Sequence, residues 1–297
     1  MKTPANSSGN TSGNTPAISP AISIVIAARN AAATISEQLD AICAQETALA
    51  WEVVVVDDES TDGTRSIVDA YCAEWPNIRI VLGRGLGVSA ARNLGIAAST
   101  APSIVTVDAD DVVAQGWLSA MAAALNESPF VAGALEIKRL NPARVIETRG
   151  SRLTLGPGSY SGIFQFAHSC NLGIQRHVIE TVGGFDESLS AGEDIEFSYR
   201  CWRSGINLTY AESAIIHYRY RTSLRSLWNQ GLAYGRIRPI LRRRFNADGL
   251  SIPAGNTARA GIGIIKRLPS LVSSSGRANW VFNTAGIIGE ITNRDGS

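Results

Sequence analysis

Between Ile22 and Leu125 four apolar, β-branched runs alternate with four helix-like stretches, and two of the runs end in clusters of aspartate. Strand–helix alternation of this kind implies right-handed crossovers and a parallel sheet covered on both faces. The runs are Ile22–Ala27, Trp51–Val56, Ile78–Leu82 and Ser103–Val107. Trp51–Val56, dominated by valine, has the pattern of a strand buried on both sides. Thr34, with Glu37 three residues on, has the spacing of a capping box and predicts a helix to about Ala44. Further helices are predicted from the polar turn Asp57–Thr64 through Ala73, over Val88–Ala98 and over Trp117–Leu125.

Beyond Phe130 the period breaks down. Val131–Arg139, Val145–Arg149, His168–Ile174 and Ile206–His217 are predicted as less regular, partly antiparallel strands. Helices are predicted over His177–Val182 and Ile195–Arg203, and the Gly/Ser/Pro-rich stretch Gly150–Gly162 reads as a loop. A long basic helix from Ser223 to about Arg244 should kink at Pro239. Trp280–Ile291 places the apolar residues Trp280, Ala285, Ile287, Ile288 and Ile291 toward one helical face. The expected organisation is a disordered tail over 1–20, a catalytic domain over 21–245, and a C-terminal extension over 246–297 containing an amphipathic helix.

The 27 basic and 26 acidic side chains leave a net charge of +1, which gives no electrostatic reason to expect a nucleic acid partner. A hydrophobic content of 45% suffices for a packed core. The four cysteines form no CxxC pair and no zinc spacing, which fits a reducing cytoplasm. After Lys2 the N-terminus lacks the apolar core of a signal peptide, and no apolar run is long enough to span a bilayer. The expectation is a cytoplasmic protein, at most peripheral to the inner face of the cell membrane.

The chemistry is concentrated at strand ends. In an open parallel sheet, ligands bind at the carboxyl ends of the strands. Asp57 and Asp58 end the second run; Asp108, Asp110 and Asp111 end the fourth. Turn formation and helix capping account for one aspartate per turn. They account poorly for three carboxylates within four residues, which repel one another. A divalent cation resolves the repulsion, and hard oxygen ligands suit Mg2+ or Mn2+ held together with substrate phosphates. A rival reading takes Gly83-x-Gly85-x-Gly87 and Asp108 as a nicotinamide dinucleotide site of an oxidoreductase. Only one of the glycine spacings fits that fingerprint, and such a site needs one acidic residue rather than a cluster.

Five motifs in order resemble the inverting nucleotide-sugar glycosyltransferases of family 2. They are Ile22–Asn30, Val53–Thr64, Gly87–Gly95, Ser103–Asp111, and Gly183–Glu187 followed by Gly192–Asp194. The resemblance covers about residues 21–245 and implies the GT-A fold. It implies a nucleotide-sugar donor, with UDP the expected nucleotide, and a carbohydrate or lipid-linked acceptor such as a cell-envelope glycan or glycolipid. Asp57 and Asp58 match the pair that holds the nucleoside, and Arg92 lies in the nucleotide-loop motif. Asp108 and Asp110 match the Asp-x-Asp motif, Asp110 as a direct metal ligand and Asp108 near the ribose. Asn171 matches the lining of the donor-sugar pocket, and Asp194 matches the catalytic base. His217 stands where some members carry a further metal ligand; a satisfied histidine ending a strand is the other reading. A non-catalytic binding subunit is disfavoured by the intact Asp108, Asp110 and Asp194.

These roles agree with elementary chemistry. A departing diphosphate needs its developing charge stabilised, and the acceptor hydroxyl needs a base within hydrogen-bond reach. Asp194 can serve both as base and as cap of the helix that follows; Glu193 either orients Asp194 or the acceptor, or serves as the base in its place. From His217 to Arg244 there are eight arginines and no acid. Arg219 or Arg221 can reach a diphosphate. Arg242–Arg244 and the apolar face of Trp280–Ile291 can meet an anionic membrane surface; alternatively that helix packs on the catalytic domain or a second copy.

Overall fold

The structure, a computed structural model, describes residues 19–150, 156–253 and 268–293. The tail expected over residues 1–20 lies outside the described residues except for its last two. Strands β1 (Ile22–Ala28), β2 (Trp51–Asp57), β3 (Ile78–Leu82) and β4 (Ser103–Asp108) pair in parallel in the order β3-β2-β1-β4. Helices α1 (Ile35–Cys43), α2 (Thr64–Glu74) and α3 (Val88–Ala98) connect them. Alternation along β1 shows why both faces are covered. Ile22, Ile24 and Ile26 join one core with Ile35, Leu39 and Ile42 of α1, and Val25 joins a second core with Ile96 of α3. Gly95 lets α3 lie close on the sheet, because a Cβ there would collide with Val25 and Val56.

The sheet then changes direction. Its full order is β3-β2-β1-β4-β9-β6-β10-β5, where β5 is Val112–Val113, β6 Phe130–Glu136, β9 Asn171–Gln175 and β10 Thr209–His217. β9 runs antiparallel to both β4 and β6, β10 runs parallel to β6, and the edge strand β5 closes antiparallel on β10. A separate hairpin pairs β7 (Gly158–Tyr160), which lies inside the stretch read as a loop, with β8 (Phe164–Phe166) just beyond it. Helix α4 (Trp117–Glu127) buries Trp117, Leu118 and Met121 in the first core; α6 (Arg176–Val182) and α7 (Glu193–Arg203) pack Val178, Phe197 and Cys201 into the second.

Two local expectations are corrected. Val145–Arg149 is not a strand but part of helix α5 (Ala143–Arg149), opened by Pro142. β6 already pairs with β9 and β10, so no sheet edge there is open to receive another strand. The predicted capping box is not formed: Thr34 Oγ1 donates to the Ala31 carbonyl, and the Glu37 carboxylate pairs with Arg219 at 2.6 Å. The long helix α8 (Leu224–Ala247) continues through Pro239.

Helix α9 (Ser274–Thr292) follows a short 3-10 turn (Leu268–Val272) and packs along α8. Glycines bring the two backbones together: a Cβ at Gly235 would strike the Gly286 carbonyl. The buried face of α9 is Ala285, Gly286, Gly289 and Glu290, while Ile288 and Ile291 remain exposed. Two arginines of the Arg242–Arg244 cluster make ion pairs within the fold. Arg242 pairs with Glu290 at 3.8 Å and Arg244 with Asp186 at 2.5 Å. Among the described residues no helix is long and apolar enough to cross a membrane.

Glu52 ties the amino edge of the sheet together. It accepts bonds from Ser23 Oγ, Thr100 N and Thr100 Oγ1, and pairs with Arg79. Burial pushes its carboxyl up, but these donors outweigh it and hold the group at about 2 instead of 4.5. A depressed folded-state value stabilises above the unfolded value and loses that contribution as pH falls toward 2. Glu52→Gln should therefore cost about 2 kcal/mol at neutral pH. The deficit, read by urea unfolding, should shrink between pH 4.5 and pH 2.

Candidate active site

The carboxyl ends of β2 and β4 lie beside each other across β1. At the end of β2, Asp58 is 4% exposed and its two oxygens accept from the backbone N–H of Gly85 (2.8 Å) and Gly87 (3.0 Å). The carboxylate thus shapes the glycine loop before α3. Gly85 and Gly87 both have positive φ, a conformation glycine adopts without strain. Asp57, also buried, accepts from Ser60 N through Oδ1. Asn30 and Glu59, non-glycine residues after β1 and β2, both have positive φ, and Asn30 Oδ1 accepts from Thr61 N at 2.8 Å. Strained backbone of this kind is typical of ligand sites.

The end of β4 is crowded with acid. Asp111 is 1% exposed; its Oδ1 accepts from Arg219 N at 2.8 Å, and its Oδ2 is buried with no partner among the described residues. Burial and repulsion from Asp108 push Asp110 up to about 6; the same causes, with Asp110 added, push Asp111 well above the carboxylate range. Oxygens of Asp108 and Asp111 and the Cys170 sulfur lie within 4.8 Å of one another. Gln38, wholly buried in α1, holds this turn by donating to the Asp108 carbonyl and accepting from Val113 N. His217 is paired in the sheet with Val112, next to Asp111, and its Nδ1 lies 2.8 Å from Glu136 Oε2.

Arg92 joins this cluster to the far half of the molecule. It is 2% exposed, and its guanidinium reaches Asp108 Oδ1 at 2.6 Å and Glu193 Oε1 at 2.7 Å. Glu193 opens α7 and also accepts from Ser169 Oγ at 3.2 Å. Next to it stands Asp194, with Oδ1 accepting from Ile195 N and Oδ2 3.8 Å from His168 Nδ1. Burial, then the neighbouring Glu193 charge, raise Asp194 to about 7. Burial lowers His168 to about 4, so at neutral pH the imidazole beside Asp194 is uncharged. Burial and the charge of Asp194 push the Tyr234 hydroxyl of α8 up to about 12.

The buried Arg92 guanidinium therefore joins Asp108 to Glu193, whose neighbour along α7 is Asp194, while Asp110 and Asp111 crowd Asp108. Asp57 and Asp58 lie two strands over. Asn171 is placed differently. It is 1% exposed on β9, donates to the carbonyls of Ala134 and Ala214, and accepts from Trp117 Nε1, so its amide is engaged by the sheet and α4. Three residues here were not assigned a role from sequence: Gln38, His168 and Asp111, whose Oδ2 is buried without a partner among the described residues. Only Asp111 carried a signal, as the third acid of a crowded turn.

The family model described as Glycosyl transferase family 2 matches residues 23–183. The pre-mycofactocin glycosyltransferase of Mycobacterium tuberculosis is 30% identical over 194 residues, 62% of this chain and 40% of that protein. Glycosyltransferase AglE of Haloferax volcanii is 28% identical over 195 residues, 64% of each chain. The chain thus spans less than two thirds of the length of either relative. The mannosyltransferase PcManGT from Pyrobaculum calidifontis, solved in complex with GDP-Man and Mn2+, superposes with a TM-score of 0.60. It is 19% identical, covering 93% of this chain and 88% of that one. The likeness establishes the GT-A fold.

Proposed function

The chain belongs to glycosyl transferase family 2, and from that premise we propose that it moves a sugar from a nucleoside-diphosphate sugar to an acceptor hydroxyl by single displacement. The observation that carries this reading is the buried Arg92, which ties the acidic end of β4 to the start of α7. Leaving-group chemistry and acceptor activation are thereby held in one fixed geometry.

Asp57 and Asp58 face the nucleoside, Asp58 by keeping the glycine loop in shape. Asp108 and Asp110 would hold a divalent cation, Mn2+ or Mg2+, with His217 as a further ligand. The residues fit such an ion: the oxygens are hard, burial and then their crowding raise Asp110 and Asp111, and Asp111 Oδ2 is buried without a partner among the described residues. When bound, the ion supplies Lewis-acid stabilisation of the charge growing on the diphosphate. Arg92 fixes the orientation of Asp108. Asp194 accepts the proton of the acceptor hydroxyl, and its value near 7 suits a base working at neutral pH. A UDP-sugar is the donor expected from the sequence; the GDP-Man held by the structural neighbour makes GDP the competing nucleotide. The acceptor is a carbohydrate or lipid-linked hydroxyl of the cell envelope, reached from the cytoplasmic side.

Two results test the reading. Because Asp194 must be ionised to act, kcat/KM should rise with pH through about 7 and level off above it. Slow hydrolysis of the donor, followed by NMR before the released sugar mutarotates, should show an inverted anomeric centre. A retained configuration contradicts single displacement.

A further inference from the structure

A cleft of about 520 Å3 lies away from the strand-end carboxylates, between the β7–β8 hairpin, the end of α7 and the segment leading into β10. None of the described residues that line it carries a charge. Its wall includes Trp202, 37% exposed, with its ring stacked on Phe164 at 5.8 Å between centroids and 24° between planes. Around it stand Ser159, Gln165 and Asn207, whose side chains have no hydrogen-bond partner among the described residues. Unused amides and a hydroxyl beside a rigid, half-exposed indole match one ligand chemistry. A sugar ring offers a C–H face to an aromatic surface and neutral hydroxyls to amides. A nucleotide, a phosphate or an acidic chain would call for cations, and the described lining residues include none.

The cleft is also connected to the proposed reaction site. Asp194, Ser198 and Trp202 are four residues apart along α7, on one stripe of the helix, so Trp202 lies about 12 Å along the axis from Asp194. On the other side β8 leads from Phe164 and Gln165 toward His168, with Phe166 packed edge-on to His168 at 5.2 Å. Both elements bordering the cleft end beside the proposed base.

We propose that this cleft binds a neutral oligosaccharide segment of the acceptor, remote from the hydroxyl that reacts. The proposal rests on the glycosyltransferase reading above. It assigns Trp202, Gln165 and Asn207 a binding role that would let the enzyme hold a long acceptor more tightly than a short one.

The test titrates the full chain with cellohexaose, mannohexaose and maltohexaose, with tetragalacturonate as a charged control, following tryptophan indole N–H signals by NMR. At least one neutral hexasaccharide should shift the Trp202 signal below about 10 mM, and tetragalacturonate should not. Trp202→Ala should weaken that binding about tenfold or more. Asn207→Ala and Gln165→Ala, which remove exposed amides without touching the core, should each weaken it by a smaller factor. Nucleotide-sugar affinity, measured on the same samples, should not change. If nucleotide sugar binds but no neutral hexasaccharide moves the Trp202 signal, the cleft assignment is overturned and the proposed activity stands. Equal binding of charged and neutral chains, or binding indifferent to all three substitutions, also overturns it. If neither nucleotide sugar nor saccharide binds, both readings fall.

Discussion

Asp194→Asn should lower turnover by about 10²–10⁴-fold and leave nucleotide-sugar affinity unchanged. Asparagine keeps the size of the side chain and an Oδ1 that can still accept from Ile195 N, so the start of α7 is preserved. What disappears is a carboxylate able to accept a proton. Burial and the adjacent Glu193 hold that carboxylate at about 7, so the wild-type rate should follow an ionisation near that value. The residual rate of the variant should be flat across the same range. His168, neutral beside Asp194, would not replace the lost ionisation, because burial keeps it at about 4. A fall in donor affinity equal to the fall in turnover would mean that Asp194 acts on the shape of the site, and the base assignment would fail.

Arg92→Leu should destabilise the fold by about 3–5 kcal/mol, because it leaves two carboxylates without their shared cation. Arg92 and Glu193 side chains are 3% and 9% exposed, so water cannot take over their bonds. Asp108 is 33% exposed and recovers part of its solvation, which favours the lower end of that range. For a chain of this size the loss corresponds to about 10 °C in Tm. Adding Glu193→Gln to the variant should restore part of the stability by removing one orphaned charge. A Tm unchanged within about 2 °C would show that the bridge does not hold the two halves of the site together.

The parallel half of the fold was legible because its strands announce themselves twice. The valine-rich runs set the sheet, and the aspartates after Val56 and Val107 mark its carboxyl edge. The second half was less legible because pairing there is decided by partners far away in sequence. Val145–Arg149 has a strand's composition, yet the strand it follows already has neighbours on both sides. Arg92 could be placed in a nucleotide-loop motif. Its bond to Glu193, 101 residues on, is a product of tertiary packing that no local pattern encodes. Asn171 shows the converse: its place in a motif suggested a sugar contact, while the fold uses its amide to join β9 to β6, β10 and α4. In α9 hydrophobic periodicity pointed to Ile287, Ile288 and Ile291. The packed face is set instead by Gly286 and Gly289, whose missing side chains let two backbones touch.

The central claim is that the acids at the end of β4 bind a nucleoside-diphosphate sugar together with a divalent cation. It is tested most directly by calorimetric titration of UDP- and GDP-sugars into wild type and Asp110→Ala, each with Mn2+ and with chelator. Asp110 lies on a strand-end turn, so its loss should leave Tm unchanged. One nucleotide class should bind the wild type in Mn2+, and its affinity should fall about tenfold or more both with chelator and in Asp110→Ala. Equal affinity in all four conditions, or no binding of either nucleotide class to the folded wild type, would contradict the account.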